Sequence, residues 1–392
     1  MTRTKKNTND EATPRLFIEP ELLKDLVQTT VQNILQEEVA RHLGVGPYER
    51  DAERRQGYRN GTKPRTMKTT VGKLDLDLPQ VRPQPGRESF RTQVFERYQR
   101  SDKALIAAMQ EMVVAGVSNR AVAGVLEEMG GFEVSAATVS RTMAELDEGI
   151  AAFFSRRLSD VEYPYLIVDA RYQKVRANGR VRSMATLIVA GIRDDGRREL
   201  LALLVGDSES AETWGEVFGD LARRGLRGVE LVVSDAHKGI RAAIAKHFQG
   251  AAWQRCKVHL MREMLAKARP KYSKELAADL RAIYASEEAE QCLAVAEDVA
   301  AKWEGRAPKM SAALRAGVED TLTVWTFPAR HRRKLNSTNM LERMMKEIKA
   351  RTRKVGSFPN ATACWRLTGA VLLEMQDRWD LAPQRYLVMD DD

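Results

Sequence analysis

The stretch Tyr165-Leu-Ile-Val-Asp169-Ala-Arg-Tyr-Gln-Lys-Val-Arg-Ala-Asn178-Gly179-Arg-Val-Arg-Ser-Met-Ala-Thr-Leu-Ile-Val-Ala-Gly-Ile-Arg193 decides the fold class. Residues 163–176 and 181–193 flank Asn178-Gly179, the strongest short hairpin signal a sequence carries. Asp194-Asp-Gly196 marks a second turn and Leu200 to Val205 a third strand, so 163–207 is predicted to be an antiparallel meander. Working outward, 211–224 read as a helix, 229–234 as an apolar strand, His237 to Phe248 as a helix and Ala252 to Val258 as a fifth strand.

Three meander strands followed by alternating helix and strand is the order of a ribonuclease-H-like α/β core with a mixed five-stranded sheet. Two of its strands end in acid: Asp169 closes the first apolar run, and Asp235 closes Leu231-Val-Val-Ser-Asp235. Buried strands of this kind deliver polar groups into a cleft at their carboxyl ends. A third acid, Glu342, sits early in Asn336-Ser-Thr-Asn-Met-Leu-Glu342-Arg-Met-Met-Lys-Glu-Ile-Lys349. Its spacing from Asn339 also fits a helix capping box, and each Asp alone could cap a turn. The span from Asp235 to Glu342 is longer than one helix, one strand and their loops need. The excess, 262–327, carries helical segments such as Leu276, Leu280 and Ile283, and predicts an all-helical insertion. The core is then expected over 157–261 and 328–392, the latter with a C-terminal helix.

Mainly helical DNA-binding domains are expected before the core. Residues 20–43 place Leu22, Leu23, Leu26, Val27, Val31, Ile34, Leu35 and Val39 at helical spacing, which suits a core helix or a dimer contact. A hairpin with a cationic loop fits 56–80, offering Arg59, Lys63, Arg65 and Lys68, and the proline-rich 79–90 reads as a linker closing a region of 1–100. Within 101–150, Leu105, Ile106, Met109, Met112 and Val113 predict one helix. Ser118 caps a second, ended by Gly130-Gly131, and Ser135 caps a third. The outer face of that third helix offers Thr138, Ser140 and Arg141, a helix-turn-helix pattern that reads DNA when the last helix enters the major groove.

A net charge of +9 over 392 residues favours a polyanionic partner. Ten Lys or Arg between Arg330 and Lys354 stand against Glu342 and Glu347, and Arg343, Lys346, Lys349, Arg351 and Arg353 are candidate phosphate contacts. Cys256, Cys292 and Cys364 make no disulfide framework, so a reducing cytoplasm is expected, and with no apolar run near the roughly 20 residues of a membrane span, no membrane association is expected. The polar stretch Met1 to Asp10 lacks the apolar core of a signal peptide and is expected to be disordered. Cys256-Lys-Val-His259 has the spacing of half a zinc site but lacks a second pair. Trp303 and Trp325 are expected in a core rather than stacked on bases. His237 could touch the site or begin a helix.

Carboxylates select hard cations, and two Mg²⁺ ions (or Mn²⁺) about 4 Å apart can activate an attacking oxygen and stabilise a leaving 3′-oxygen. Asp169, Asp235 and Glu342 are the candidate ligands and catalytic acids for such phosphodiester chemistry.

The segments Asp169-Ala-Arg-Tyr-Gln-Lys-Val, Ser234-Asp235-Ala-His-Lys-Gly-Ile, Gln254-Arg-Cys-Lys-Val-His259 and Ser337-Thr-Asn-Met-Leu-Glu342-Arg resemble the Mutator-type DDE transposases of bacterial insertion sequences. Tyr58-Arg-Asn-Gly61 and Val355-Gly-Ser-Phe-Pro-Asn360 extend the likeness over nearly the whole chain. The resemblance implies that Asp169, Asp235 and Glu342 are the catalytic triad and that Cys256 and His259 form a Cys-x-x-His signature of structural or DNA-positioning role. It implies metal-dependent cleavage at terminal inverted repeats and strand transfer into target DNA, both double-stranded. It also implies a homodimer on paired ends in the cytoplasm of a bacterium, near the nucleoid. A transposase-derived DNA-binding regulator without catalysis is the alternative. Glu263 and Met345 depart from the family's usual pattern, and neither is an expected ligand.

Overall fold

The computed structural model describes residues 20–49, 51, 54–84, 89–94, 103–130, 134–353 and 355–389. The expected tail at Met1 to Asp10 lies outside them. The chain divides into two units, residues 1–113 with 119–142, and residues 114–118 with 143–392.

In the first unit, helix α1 (Pro20–Leu43) packs on a hairpin of β1 (Gly57–Thr69) and β2 (Gly72–Pro83). Leu35 meets Met67, Leu74 and Leu76, and Val39, Leu43 and Val45 form a second cluster. Leu22, Leu26 and Ile34, expected on the apolar face, are exposed, because the hairpin covers a stripe too narrow for all eight apolar positions. The cations expected in a loop stand on a strand instead: Lys63 pairs with Leu78 and Arg65 with Leu76. The strands run on to Pro83, past the expected stop at Pro79, with a register shift between Arg59 and Thr62. A two-stranded ribbon has two open edges, so Pro64 and Pro79 need cost no ladder bond.

Then follow α2 (Lys103–Val114), α3 (Asn119–Gly130) and α4 (Ala136–Ala144), with Leu105, Met109, Val122, Leu126 and Val139 buried. Ser135 caps α4 as its position suggested, its Oγ accepting the Thr138 N–H at 3.1 Å. Helix α4 ends at Ala144, and Leu146 starts α5 (Leu146–Ser155).

The second unit holds β3 (Tyr165–Ala177), β4 (Arg180–Ile192), β5 (Arg198–Gly206), α6 (Ala211–Arg223), β6 (Leu231–Ser234), α7 (Lys238–His247), β7 (Ala252–Arg255) and α8 (Lys257–Lys267). Its mixed five-stranded sheet has the order β5-β4-β3-β6-β7. The meander is antiparallel, and β6 and β7 run parallel to β3. Asn178 and Gly179 take φ of 51° and 75°, the positive values that a tight hairpin turn requires at both central residues. Trp214, Phe218 and Leu221 of α6 and Ile240 and Ile244 of α7 fill one side of the sheet. Strand β7 stops at Arg255, three residues short of the expected end, because Cys256 takes the position before helix α8.

Helices α8, α9 (Ser273–Ala282), α10 (Ala289–Glu304) and α11 (Pro308–Gly317) share a separate core around Met264, Leu280, Trp303 and Leu314. Trp303 is fully buried and donates its indole N–H to Asp279 at 2.7 Å. The chain closes with α12 (Ala329–Leu335), α13 (Asn339–Thr352) and α14 (Ala361–Asp380). Helix α14 crosses β3 and β5, and Gly369 lets it approach α5: a Cβ there would stand 2.6 Å from Ile150 Cγ2. Among the described residues, no helix is long and apolar enough to cross a membrane.

Candidate functional site: an acidic cluster beneath a basic helix

Strands β3 and β6 pair in parallel from Tyr165↔Leu231 to Ile167↔Val233. Two residues past that last rung come Asp169, within β3, and Asp235, just after β6, so the pairing puts both at its carboxyl end. Asp169 is 8% exposed and its Oδ1 accepts the Ala170 N–H at 2.9 Å. Burial pushes its carboxyl up to about 7, and the charges of Asp235 and Glu342 add to the rise, against His259 and the Ala170 N–H. Asp235 is half-buried, and its Oδ1 accepts the His237 N–H at 3.3 Å. His237 precedes α7, where its Nδ1 accepts the Gly239 N–H at 3.2 Å, so it both starts the helix and touches Asp235 through its backbone N–H.

Glu342 stands in the first turn of α13, whose residues Met340, Leu341, Met344, Met345 and Ile348 are buried. The side chain caps nothing. Its Oε1 and Oε2 accept Arg262 Nη1 and Nη2 at 2.7 and 2.6 Å, and His259 Nε2 lies 3.7 Å from Oε1. The capping-box reading fails because the position before the helix is Thr338, and Thr338 turns to Cys256. Cys256 Sγ, fully buried, accepts the Thr338 N–H at 3.3 Å and faces its hydroxyl at 3.5 Å.

Burial alone would raise the Cys256 thiol, but His259 and the Thr338 donors outweigh it and its pKa is lowered. His259 in turn is pushed up to about 9, chiefly by the nearby Cys256 sulfur, with Asp169 and Glu342 adding to it against burial. Cys256 and His259 therefore tie the start of α8 to the start of α13.

Two participants escaped the sequence reading. Arg262 is one, because nothing local links it to a carboxylate 80 residues away. Glu209 is the other. It is raised by burial and then by Asp235, and it accepts the Trp214 indole N–H at 3.2 Å. The acidic run Asp207-Ser-Glu209 before α6 was its only signal in the sequence.

The donors available for a cation are the oxygens of Asp169, Asp235 and Glu342. As the side chains lie, no three His, Cys, Asp or Glu among the described residues converge closely enough to hold one ion.

Around this cluster, Arg343, Lys346, Lys349 and Arg353 are exposed. Lys346, Lys349 and Arg353 follow Glu342 at steps of four, three and four, which align along one helical stripe. Arg351 differs from its expected role. Its side chain is 12% exposed and is committed to Glu374, to Glu347 at 3.0 Å and to the Val114 carbonyl at 3.3 Å. It ties α13 to α14 rather than facing outward. In the first unit Arg59 is exposed and donates to Gln36 at 2.9 Å, Lys63 is exposed and Arg65 is half-buried. Arg141 is exposed and donates to Thr138 Oγ1 at 3.2 Å, while that hydroxyl also joins the Ser135 cap at 3.0 Å.

The family described as "Transposase, Mutator family" matches residues 1–382. The chain is 41% identical over 392 residues to the transposase for insertion sequence element ISRM5 of Rhizobium meliloti (strain 1021), covering 100% of this chain and 97% of that one. It is 36% identical over 375 residues to the transposase for IS256 in transposon Tn4001 of Staphylococcus aureus, covering 95% of each. Among solved structures it is similar to the Drosophila P element transposase strand transfer complex at 11% identity and a TM-score of 0.32, covering 75% of this chain and 84% of that one. On the family match and the full-length relatives, the chain belongs to the Mutator family of transposases.

Proposed function

We propose that this transposase is of the DDE type. It binds the terminal inverted repeats of an insertion sequence, cuts DNA at the ends with water as nucleophile, and joins the freed 3′-hydroxyl to target DNA. The sheet and its helices form a ribonuclease-H-like core, 262–327 is a helical insertion in it, and 101–150 reads the ends through a helix-turn-helix. What supports the reading is that the β3–β6 pairing puts Asp169 and Asp235 at one sheet end, with Glu342 of a separate helix near enough for its charge to act on buried Asp169.

These donors fit a hard divalent cation. All are carboxylate oxygens, and Asp169 is a buried carboxyl held well above its ordinary range, an environment that a nearby dication relieves. Asp169, Asp235 and Glu342 are the residues that would hold two Mg²⁺ or Mn²⁺ ions, which would supply Lewis-acid activation of the attacking oxygen and stabilisation of the leaving one. The chain's own part is positioning. His259 and Cys256 fix the start of α13, and the stripe of Lys346, Lys349 and Arg353 draws the phosphodiester backbone across Glu342. Two element ends must react together, so the active particle is a homodimer on paired ends, which light scattering of the complex with end DNA tests.

Asp235→Ala tests the site. It abolishes nicking and strand transfer in Mg²⁺ while end binding stays within a few fold. Nicking of labelled terminal DNA at the wild-type rate overturns the assignment.

A further inference from the structure

Helix α8 presents His259 and Arg262 one turn apart to the same carboxylate. The Arg262 fork takes both Glu342 oxygens, at 2.7 and 2.6 Å. Such a bidentate pair uses the lone pairs that a cation would need. The Arg262 side chain is 55% exposed and that of Glu342 12%, so the guanidinium reaches in from the solvent side and can withdraw without opening the core. The neighbouring Arg255 is spent on Glu263 at 2.5 Å and does not share Glu342.

We propose that Arg262 is a DNA-phosphate contact held in reserve by Glu342: a divalent cation binding at Glu342 displaces the guanidinium, which then captures the phosphodiester backbone. The inference rests on the reading of Glu342 as a cation ligand. A released guanidinium keeps a rigid planar fork that matches a phosphate as well as a carboxylate. Cation binding and backbone capture are then linked, and the linkage is reciprocal: DNA tightens the cation and the cation tightens DNA. The rival role, a static brace that merely orients Glu342, makes the opposite prediction for the cation, because losing a brace weakens the site.

The test uses the full chain and Mn²⁺ alone, followed by the paramagnetic resonance signal of the free ion, with thermal melting to confirm that each variant is folded. Arg262→Gln should bind Mn²⁺ roughly twofold to fivefold more tightly, the scale of releasing a partly exposed ion pair. Arg262→Lys, which keeps charge without the fork, should fall between.

In a second arm, a labelled duplex carrying the element's terminal sequence is titrated with salt in Ca²⁺ or in chelator. Wild type should show a slope steeper by about 0.9 in Ca²⁺, one additional phosphate. Arg262→Gln should show no such difference, and Glu342→Gln should show the additional contact even in chelator. Unchanged or weaker Mn²⁺ binding by Arg262→Gln, with Glu342→Gln impaired, overturns this proposal alone. Equal Mn²⁺ binding by Glu342→Gln and wild type instead removes Glu342 from the ligand set, and the proposal falls with that reading.

Discussion

Arg351 and Lys349 lie two residues apart in one basic helix, yet Arg351 is built into internal ion pairs while Lys349 is exposed, and Arg351→Ala separates the two. The Arg351 side chain is 12% exposed and bridges Glu374 and Glu347, whose side chains are 29% and 39% exposed. Removing it leaves Glu374 paired with Arg378 alone. Breaking a largely buried pair costs about 3–5 kcal/mol, and an exposed pair about 0–1 kcal/mol. Partly exposed carboxylates and the surviving Arg378 place the cost between these, at about 2 kcal/mol. At roughly 2–4 °C per kcal/mol for a unit of this size, Tm should fall by about 4–8 °C. Binding to DNA, measured below the melting range, should stay within about twofold, because no phosphate contact is lost. Lys349→Ala should do the reverse, leaving Tm unchanged and flattening the salt dependence of DNA binding by about 0.9. Calorimetry and fluorescence anisotropy across a salt series measure both. Arg351→Ala losing the salt slope with an unchanged Tm would refute the assignment of Arg351 as an internal tie.

Gly369→Val should destabilise by about 1–3 kcal/mol, since even its Cβ would press to 2.6 Å from Ile150 on the facing helix, and denaturant titration reads the loss. Glu199, bonded to Tyr163 at 2.8 Å, Arg193 at 2.8 Å and Arg156 at 3.0 Å, has its pKa lowered by these partners even though burial, the largest single influence, opposes them. A depressed folded-state pKa contributes stability that is present above the ordinary carboxylate range and lost as pH falls through the folded value. Glu199→Gln should therefore be less stable than wild type at neutral pH and show a shallower acid-side decline in Tm; parallel curves would contradict the network.

Much of the sheet was legible because its signals are local. Asn178-Gly179 demands positive φ at two positions, and the apolar runs around it have no helical period. Asp169 and Asp235 could be singled out because strand ends are readable and parallel pairing brings like ends together. What stayed hidden is non-local or set by competition. Val258 looked like strand, but α8 needed Cys256 as its leading residue, and the helix won. The basic stretch in 56–80 suggested a loop and Pro79 a strand end, yet a two-stranded ribbon tolerates both, so the expected loop is strand. Leu22, Leu26 and Ile34 have the right spacing for a buried face, but only the hairpin's width determines which spacing positions are covered. Arg351 resembles its basic neighbours in every sequence property, and only Glu374, on another helix, distinguishes it. Arg262 and Glu209 reach the site by the same kind of long-range contact.

Iron-directed backbone scission tests most directly the claim that Asp169, Asp235 and Glu342 share a cation site. Fe²⁺ replacing the divalent ion generates radicals at the metal with ascorbate and peroxide, and peptide mapping locates the cuts. Three clusters of scission are expected, around Asp169, Asp235 and Glu342, all suppressed by excess Mg²⁺ and lost together in Asp169→Asn. Cuts confined to one of these segments, or centred elsewhere in the chain and insensitive to Mg²⁺, would contradict it.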